Sequence, residues 1–141
     1  MPASSGLASG QIATRLVGLG AAVGATALVG LVDPQKGGPY PVCPSRLILG
    51  IDCPGCGGLR GTHDLLHGHV LQALDHNLLL PFTLALMAFA LGRWLLPLVG
   101  RPARPLHPPP WAVVAALVVV VAFTVLRNLP VPALAWLGSG A

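Results

Sequence analysis

An all-α integral membrane protein with three transmembrane helices is the architecture this sequence predicts, and three observations predict it. Charged residues make up 9% of the 141 and hydrophobic ones 54%, with no Glu anywhere, whereas roughly a quarter of an average soluble chain is charged. Three apolar stretches approach the ~20 residues that a helix needs to cross a bilayer core. The polar chemistry is gathered elsewhere: all four Asp, all three Cys and four of the five His lie between Asp33 and Asn77. The same counts exclude other classes. Net charge is +4, but the one Lys and seven Arg are scattered and form no stripe to follow a phosphate backbone, which excludes a nucleic-acid binder. The 18 Gly and 15 Pro stay just under the share at which disorder becomes the default, and the aliphatic content also argues against it. What remains is one domain's worth of chain, a single membrane domain over 1–141.

The first span covers about 16–32 and is uncharged, with small residues at helical spacing in Gly20-xxx-Gly24. Such a face lets another helix approach closely, so a second membrane protein is an expected partner beside the lipid bilayer itself. The rival reading is a secretory signal, with Arg15 in its basic region and Ala25-Thr26-Ala27 at its cleavage site, but the apolar run is long for one. A Cys/His-rich loop follows over 33–77. It has a Pro/Gly-rich lead, the apolar run Leu47-Ile48-Leu49, the cluster Cys53-Pro54-Gly55-Cys56-Gly57-Gly58, a helix that Gly68 ends, and a second short helix from Val70 to Asn77. Leu66, Val70, Leu74 and Leu78 recur every fourth residue and give these interfacial helices one apolar face for the bilayer or the spans.

The second span covers about 78–99. Pro81 falls in its first turn, where a missing N–H costs little, and Arg93 lies close enough to the end to snorkel. Pro108-Pro109-Pro110 stops the connector before the third span, about 111–129. Trp94 and Trp111 flank that connector at the level of an interfacial belt. The tail from Val131 to Leu137, broken by Pro132, lies at the interface and is not a fourth crossing. Basic residues near the span ends tie at four on each side. Arg101 and Arg104 in the short connector favour a cytoplasmic N-terminus and an extracytoplasmic loop in a multi-pass protein of the cell membrane.

The most specific local signal is Cys53-Pro54-Gly55-Cys56-Gly57. Two Cys separated by two residues turn both sulfurs to one point, and Pro and Gly permit the tight turn this needs, as in half of a zinc-ribbon site. No second pair exists, but Cys43 offers a third sulfur, and His63, or alternatively His67, a fourth ligand. His63 and His67 share a helical face at i, i+4. A zinc site of Cys43, Cys53, Cys56 and His63 therefore stands beside a structural disulfide in an oxidising loop. A third reading is a thiol–disulfide oxidoreductase using Cys53 and Cys56, whose thiols precede a helix N-terminus. Haem attachment is disfavoured, because Gly57 stands where that motif needs His. Arg60 lies in the first turn of the helix after Gly57-Gly58, a position suited to an anion or a lipid headgroup; the plainer reading is an anchor or a partner for Asp64.

Cys43-Pro44, the apolar run ending at Gly50, Cys53-Pro54-Gly55-Cys56-Gly57-Gly58-Leu59-Arg60, Leu65-Leu66-His67-Gly68, and Ala73 with Asn77 together resemble a family of small bacterial membrane proteins, domain of unknown function number 2752. The resemblance covers about 41–81. It implies a multi-span membrane protein with a Cys-rich motif and no assigned activity, and places Cys43, Cys53, Cys56, Gly57 and Arg60 on the family motif. Leu59, His69 and Leu78 depart from the usual Thr, Asp and Pro, which weakens any essential role for a hydroxyl or carboxylate there. The expectation is a non-enzymatic protein whose Cys cluster, closed by metal or disulfide, presents Arg60 and its helix to a lipid or protein partner, because no nucleophile, base and oxyanion set accompanies the sulfurs.

Overall fold

The computed structural model describes residues 9–138, and all regular structure among them is helical, with no strand. Six α-helices occur: α1 (Ser9–Leu31), α2 (Pro44–Leu49), α3 (Gly58–Leu66), α4 (Val70–His76), α5 (Leu80–Leu95) and α6 (Pro110–Arg127). Two 3-10 turns, Leu96–Val99 and Pro132–Leu137, extend α5 and form the tail. Three helices are long and apolar enough to cross a membrane: Ser9–Leu31, Leu80–Val99 and Pro110–Arg127. The three-span architecture and the loop between the first two spans are therefore as expected.

The ends differ from expectation by up to seven residues. Helix α1 reaches back to Ser9, the first described residue and seven residues before the expected span. Thr14 donates to the Gly10 carbonyl at 2.9 Å, and the Arg15 guanidinium lies 5.3 Å over the Trp94 ring. Helix α5 starts at Leu80 and not Leu78, because Asn77 Oδ1 accepts the N–H of Leu79 and holds the chain extended before the helix. Pro97 removes one N–H near the end of that span, and the last residues tighten into a 3-10 turn closed by Gly100. Helix α6 stops at Arg127, because the Asn128 side chain turns back to Thr124 and across to the loop.

The loop is a folded layer, and most of the buried residues gather around it. Helices α3 and α4 pack on each other as a short hairpin, with α3 also touching α1 and α5. Gly61 permits this approach, since a Cβ there would press on the Ala73 carbonyl and the Leu80 side chain. Buried Ala73, Leu80 and Cys56 surround the junction, together with the buried polar groups Asp64 and Asn77. Asp64 accepts from Gln35 Nε2 at 3.4 Å and faces His76 Nε2 at 3.1 Å, so its burial is compensated. Tyr40 and His63 fasten the layer to the end of α1: Tyr40 Oη donates to the Val32 carbonyl at 2.7 Å and lies 3.1 Å from that of Leu28, and His63 Nδ1 donates to the Val29 carbonyl at 2.7 Å. The tail turn packs on α4 and α6. On α1, Trp94 covers Gly18, while Gly20 and Gly24 have nothing within 4 Å of where a Cβ would stand.

Candidate metal centre

Three local structures bring the three cysteines together. Cys43 sits just before α2, where Pro44 starts the helix and the Cys43 carbonyl accepts the N–H groups of Arg46 and Leu47. Cys53 to Cys56 form one tight turn, closed by the Cys56 N–H on the Cys53 carbonyl at 3.0 Å. Gly57 follows in the left-handed region at φ +81 and turns the chain into α3. Across this fold Cys43 Sγ lies 3.3 Å from Cys53 Sγ, and Cys53 Sγ lies 3.0 Å from Cys56 Sγ. All three sulfurs fall within 4.8 Å of one another, and no fourth His, Cys or carboxylate among the described residues joins them at that distance. None of the three is in a disulfide.

The two remaining expected ligands are placed elsewhere. His63 and His67 do share one face of α3, with ring centroids 4.3 Å apart, but that face turns to α1. His63 Nδ1 is bound to the Val29 carbonyl, and His67 Nδ1 donates to the His63 carbonyl at 2.8 Å. Neither imidazole belongs to the sulfur group. Arg60 is in the first turn of α3, as the sequence indicated, half-buried at the edge of a cavity that Cys43 and Cys56 also border.

A set of donors that sequence reasoning missed holds the cysteine turn from outside. Arg127 Nη1 donates to the Cys53 carbonyl at 3.0 Å and Nη2 to the Cys56 carbonyl at 3.3 Å. Asn77 Nδ2 donates to the Pro54 carbonyl at 2.8 Å and to that of Cys56 at 3.2 Å. Asp52, the residue before the turn, pairs with Arg127 at 3.6 Å and with Arg46 at 3.7 Å. Its backbone N–H and carbonyl are both bound by the Asn128 amide at 2.8 Å. The carbonyls of Cys53, Pro54 and Cys56 are thus each held by a side chain. One signal was available: Arg127-Asn128 ends an otherwise uncharged span, but a cation there reads equally well as a headgroup anchor.

The thiols are not equivalent. Cys43 is pushed down to about 6, chiefly by the hydrogen bond from Ser45 Oγ at 3.0 Å and then by those from Cys53 and Cys56. Cys56 is pushed up to about 12, chiefly by burial and then by the thiols beside it, which favour its neutral form. Only thiolates alkylate. In metal-free, reduced protein at pH 7, iodoacetamide is therefore expected to modify Cys43 well before Cys56. The Cys43 rate should be half its plateau near pH 6 and level off above about pH 7, while the Cys56 rate keeps rising through pH 8. Peptide mass spectrometry over a time course reads both, and equal rates at the two sites would contradict the assignment.

No curated protein and no solved structure matches this chain. The family match begins at the first cysteine of the sulfur cluster and takes in the clamped turn, the α3–α4 hairpin and most of α5: residues 43–91 match the family described as Protein of unknown function (DUF2752).

Proposed function

We propose that residues 1–141 act as one multi-pass domain of the cell membrane, with a loop that is a structural metal module holding one zinc ion through Cys43, Cys53 and Cys56. The observation that carries this is the convergence of three sulfurs, since a disulfide uses two and leaves the third without a role. A Zn–S bond of about 2.3 Å sets tetrahedral sulfur edges of about 3.8 Å, so the two close pairs, Cys43–Cys53 at 3.3 Å and Cys53–Cys56 at 3.0 Å, need to part by less than an ångström. The depressed Cys43 thiol supplies a ready thiolate, and the burial that keeps Cys56 neutral is overcome when a cation binds. The fourth position falls to a ligand from outside the chain, such as water. The clamp from Arg127 and Asn77 does for the turn what outer partners do around metal ligands: it fixes their orientation. Held in this way, the loop presents α2 and Arg60 to a lipid or protein partner on its side of the membrane.

Zinc analysis of full-length protein purified in nonionic detergent tests the reading. About one zinc per chain is expected, falling to background in Cys43→Ser, Cys53→Ser and Cys56→Ser alike, because a three-sulfur site does not survive on two. Wild-type protein without zinc, whose three thiols label freely with maleimide, would overturn it. Protection that yields to reductant and not to chelator would assign a structural disulfide instead.

Thiol–disulfide exchange is the second reading, and one observation favours it: a half-buried thiol held down to about 6 lies 3.3 Å from a second thiol. A mixed disulfide on Cys43 trapped by Cys53→Ser would support exchange through Cys43. Its absence, under conditions that trap known exchange partners, would remove it.

A further inference from the structure

Helix α3 carries a pair of imidazoles that the sulfur cluster leaves unused. His63 and His67 stand four residues apart, so the helical repeat sets both on one side of α3, and their ring centroids are 4.3 Å apart with planes tilted by 37°. Each ring is held by one nitrogen: His63 Nδ1 meets the Val29 carbonyl at 2.7 Å, and His67 Nδ1 the His63 carbonyl at 2.8 Å. A carbonyl oxygen only accepts, so both Nδ1 atoms carry the proton and, in the neutral rings, both Nε2 atoms carry a lone pair. Neither Nε2 bonds any described residue. His67 is exposed and His63 half-buried, so solvent reaches the pair.

We propose that His63 and His67 form a second metal site, an imidazole clip that binds a divalent transition ion through the two Nε2 atoms. Metal-binding histidines are held in this way: one ring nitrogen ligates while the other donates to a carbonyl that fixes the tautomer and the ring orientation. Two histidines at i and i+4 on one helix face are a recurring pair of zinc ligands. Two nitrogens bonded to one ion at about 2.0–2.1 Å stand no more than about 4.2 Å apart. A ring nitrogen lies within one bond length of its centroid, so a centroid separation of 4.3 Å suits that span. Ligand type sets the class of ion: two imidazoles without sulfur suit Zn²⁺, Cu²⁺ or Ni²⁺, whereas Mg²⁺ and Ca²⁺ take oxygen. The charge nearby permits a cation. Asp33, just after α1, lies within electrostatic reach of His63, and Lys36, 3.4 Å from that carboxylate, is 85% exposed. No third His, Cys or carboxylate among the described residues joins the two rings, so water or a group from outside the chain completes the coordination. Open positions of this kind make the site an exchangeable one, unlike the cysteine cluster.

Histidine modification by diethylpyrocarbonate tests it in full-length protein in nonionic detergent, because the reagent acylates an imidazole lone pair that a bound ion covers. Zn²⁺ is the probe, since it has no redox chemistry with the thiols. Peptide mass spectrometry reads each histidine across a zinc titration, with chelator added at the end. His67, being exposed, is the main readout. His63 and His67 are expected to gain protection together, saturably, and to lose it with chelator, while exposed His69 and His107 stay reactive throughout. His63→Gln removes one ligand but keeps an amide donor for the Val29 carbonyl. In that variant the zinc needed to protect His67 should rise about tenfold or more, the loss of one coordinate bond of two. No protection of His67 in wild type, equal protection of His69 and His107, or unchanged protection of His67 in His63→Gln would overturn the proposal. The wild-type titration decides by itself if the variant fails to fold. Maleimide labelling of the same samples reports the cysteines separately. Zinc held by the cysteines with both histidines reactive fails this inference alone, and histidines protected beside freely labelled cysteines fail only the reading of the cluster.

Discussion

Arg127→Met is expected to destabilise the folded protein by about 3 kcal/mol, the lower end of what removing one partner of a buried ion pair costs. The lower end applies because Asp52 keeps Arg46 at 3.7 Å after the change and its side chain is 15% exposed, so it is not left wholly uncompensated. The Arg127 side chain, by contrast, has no exposure at all. It sits over the Phe123 ring at 5.0 Å and spends two N–H groups on the carbonyls of Cys53 and Cys56. Methionine retains the apolar volume against Phe123 but leaves those carbonyls short of a donor. The effect should reach the sulfurs, because the lost donors orient the turn that carries two of them. Loss of such an outer partner typically weakens metal binding 10- to 100-fold. Arg127→Lys should recover part of the stability and little of the zinc affinity, since one ammonium cannot fork across both carbonyls. Chemical denaturation in detergent micelles, with a zinc competition titration on the same samples, gives both numbers. A midpoint within about 0.5 kcal/mol of wild type and unchanged zinc affinity would show that the clamp is ornamental, since changes away from such features stay within that range.

The same clamp marks where sequence reading reached its limit. Periodicity and apolar length are local properties, so the three spans and the two short helices broken at Gly68 were visible, with ends off by up to seven residues, whereas the packing of α3 on α4 and the helical state of α2 were not. Two of the end errors arose where a side chain overrode composition, at Asn77 before α5 and Asn128 after α6. The i, i+4 relation of His63 and His67 was also legible, and the two rings lie side by side with tilted planes, their centroids 4.3 Å apart. Spacing does not say which neighbour a helical face meets, however. The face meets the Val29 carbonyl on α1 and not the cysteines. Arg127 lies 74 residues beyond Cys53, and nothing in either local stretch encodes their meeting. The Cys-Pro-Gly-Cys turn could be read because its geometry is its own; what holds the turn in place comes from two other elements.

Two neighbouring glycines should respond to alanine with opposite signs. Gly57 is in the left-handed region at φ +81, which costs an L residue about 1–2 kcal/mol. A Cβ at Gly57 would also collide with the His76 backbone carbonyl. That carbonyl ends α4 and cannot swing aside as a flexible side chain would, because the His76 ring is held by buried Asp64 at 3.1 Å and Asn77 next to it holds the cysteine turn. Gly57→Ala should therefore destabilise by more than the backbone cost alone, about 2–4 kcal/mol, with relief only if the chain after Cys56 moves. Since Cys56 is the neighbouring residue, zinc affinity should fall together with stability. Gly58 lies one residue on, inside the first turn of α3, has no positive φ, and a Cβ there meets nothing within 4 Å. Gly58→Ala should stabilise by about 0.4–1 kcal/mol, as alanine does at a compatible helical position, and leave zinc binding unchanged. Denaturation midpoints for the two variants, measured side by side, decide the matter. Gly57→Ala as stable as wild type would mean that α3 and α4 do not approach each other as described, and that the cysteine turn is not pinned by its neighbours.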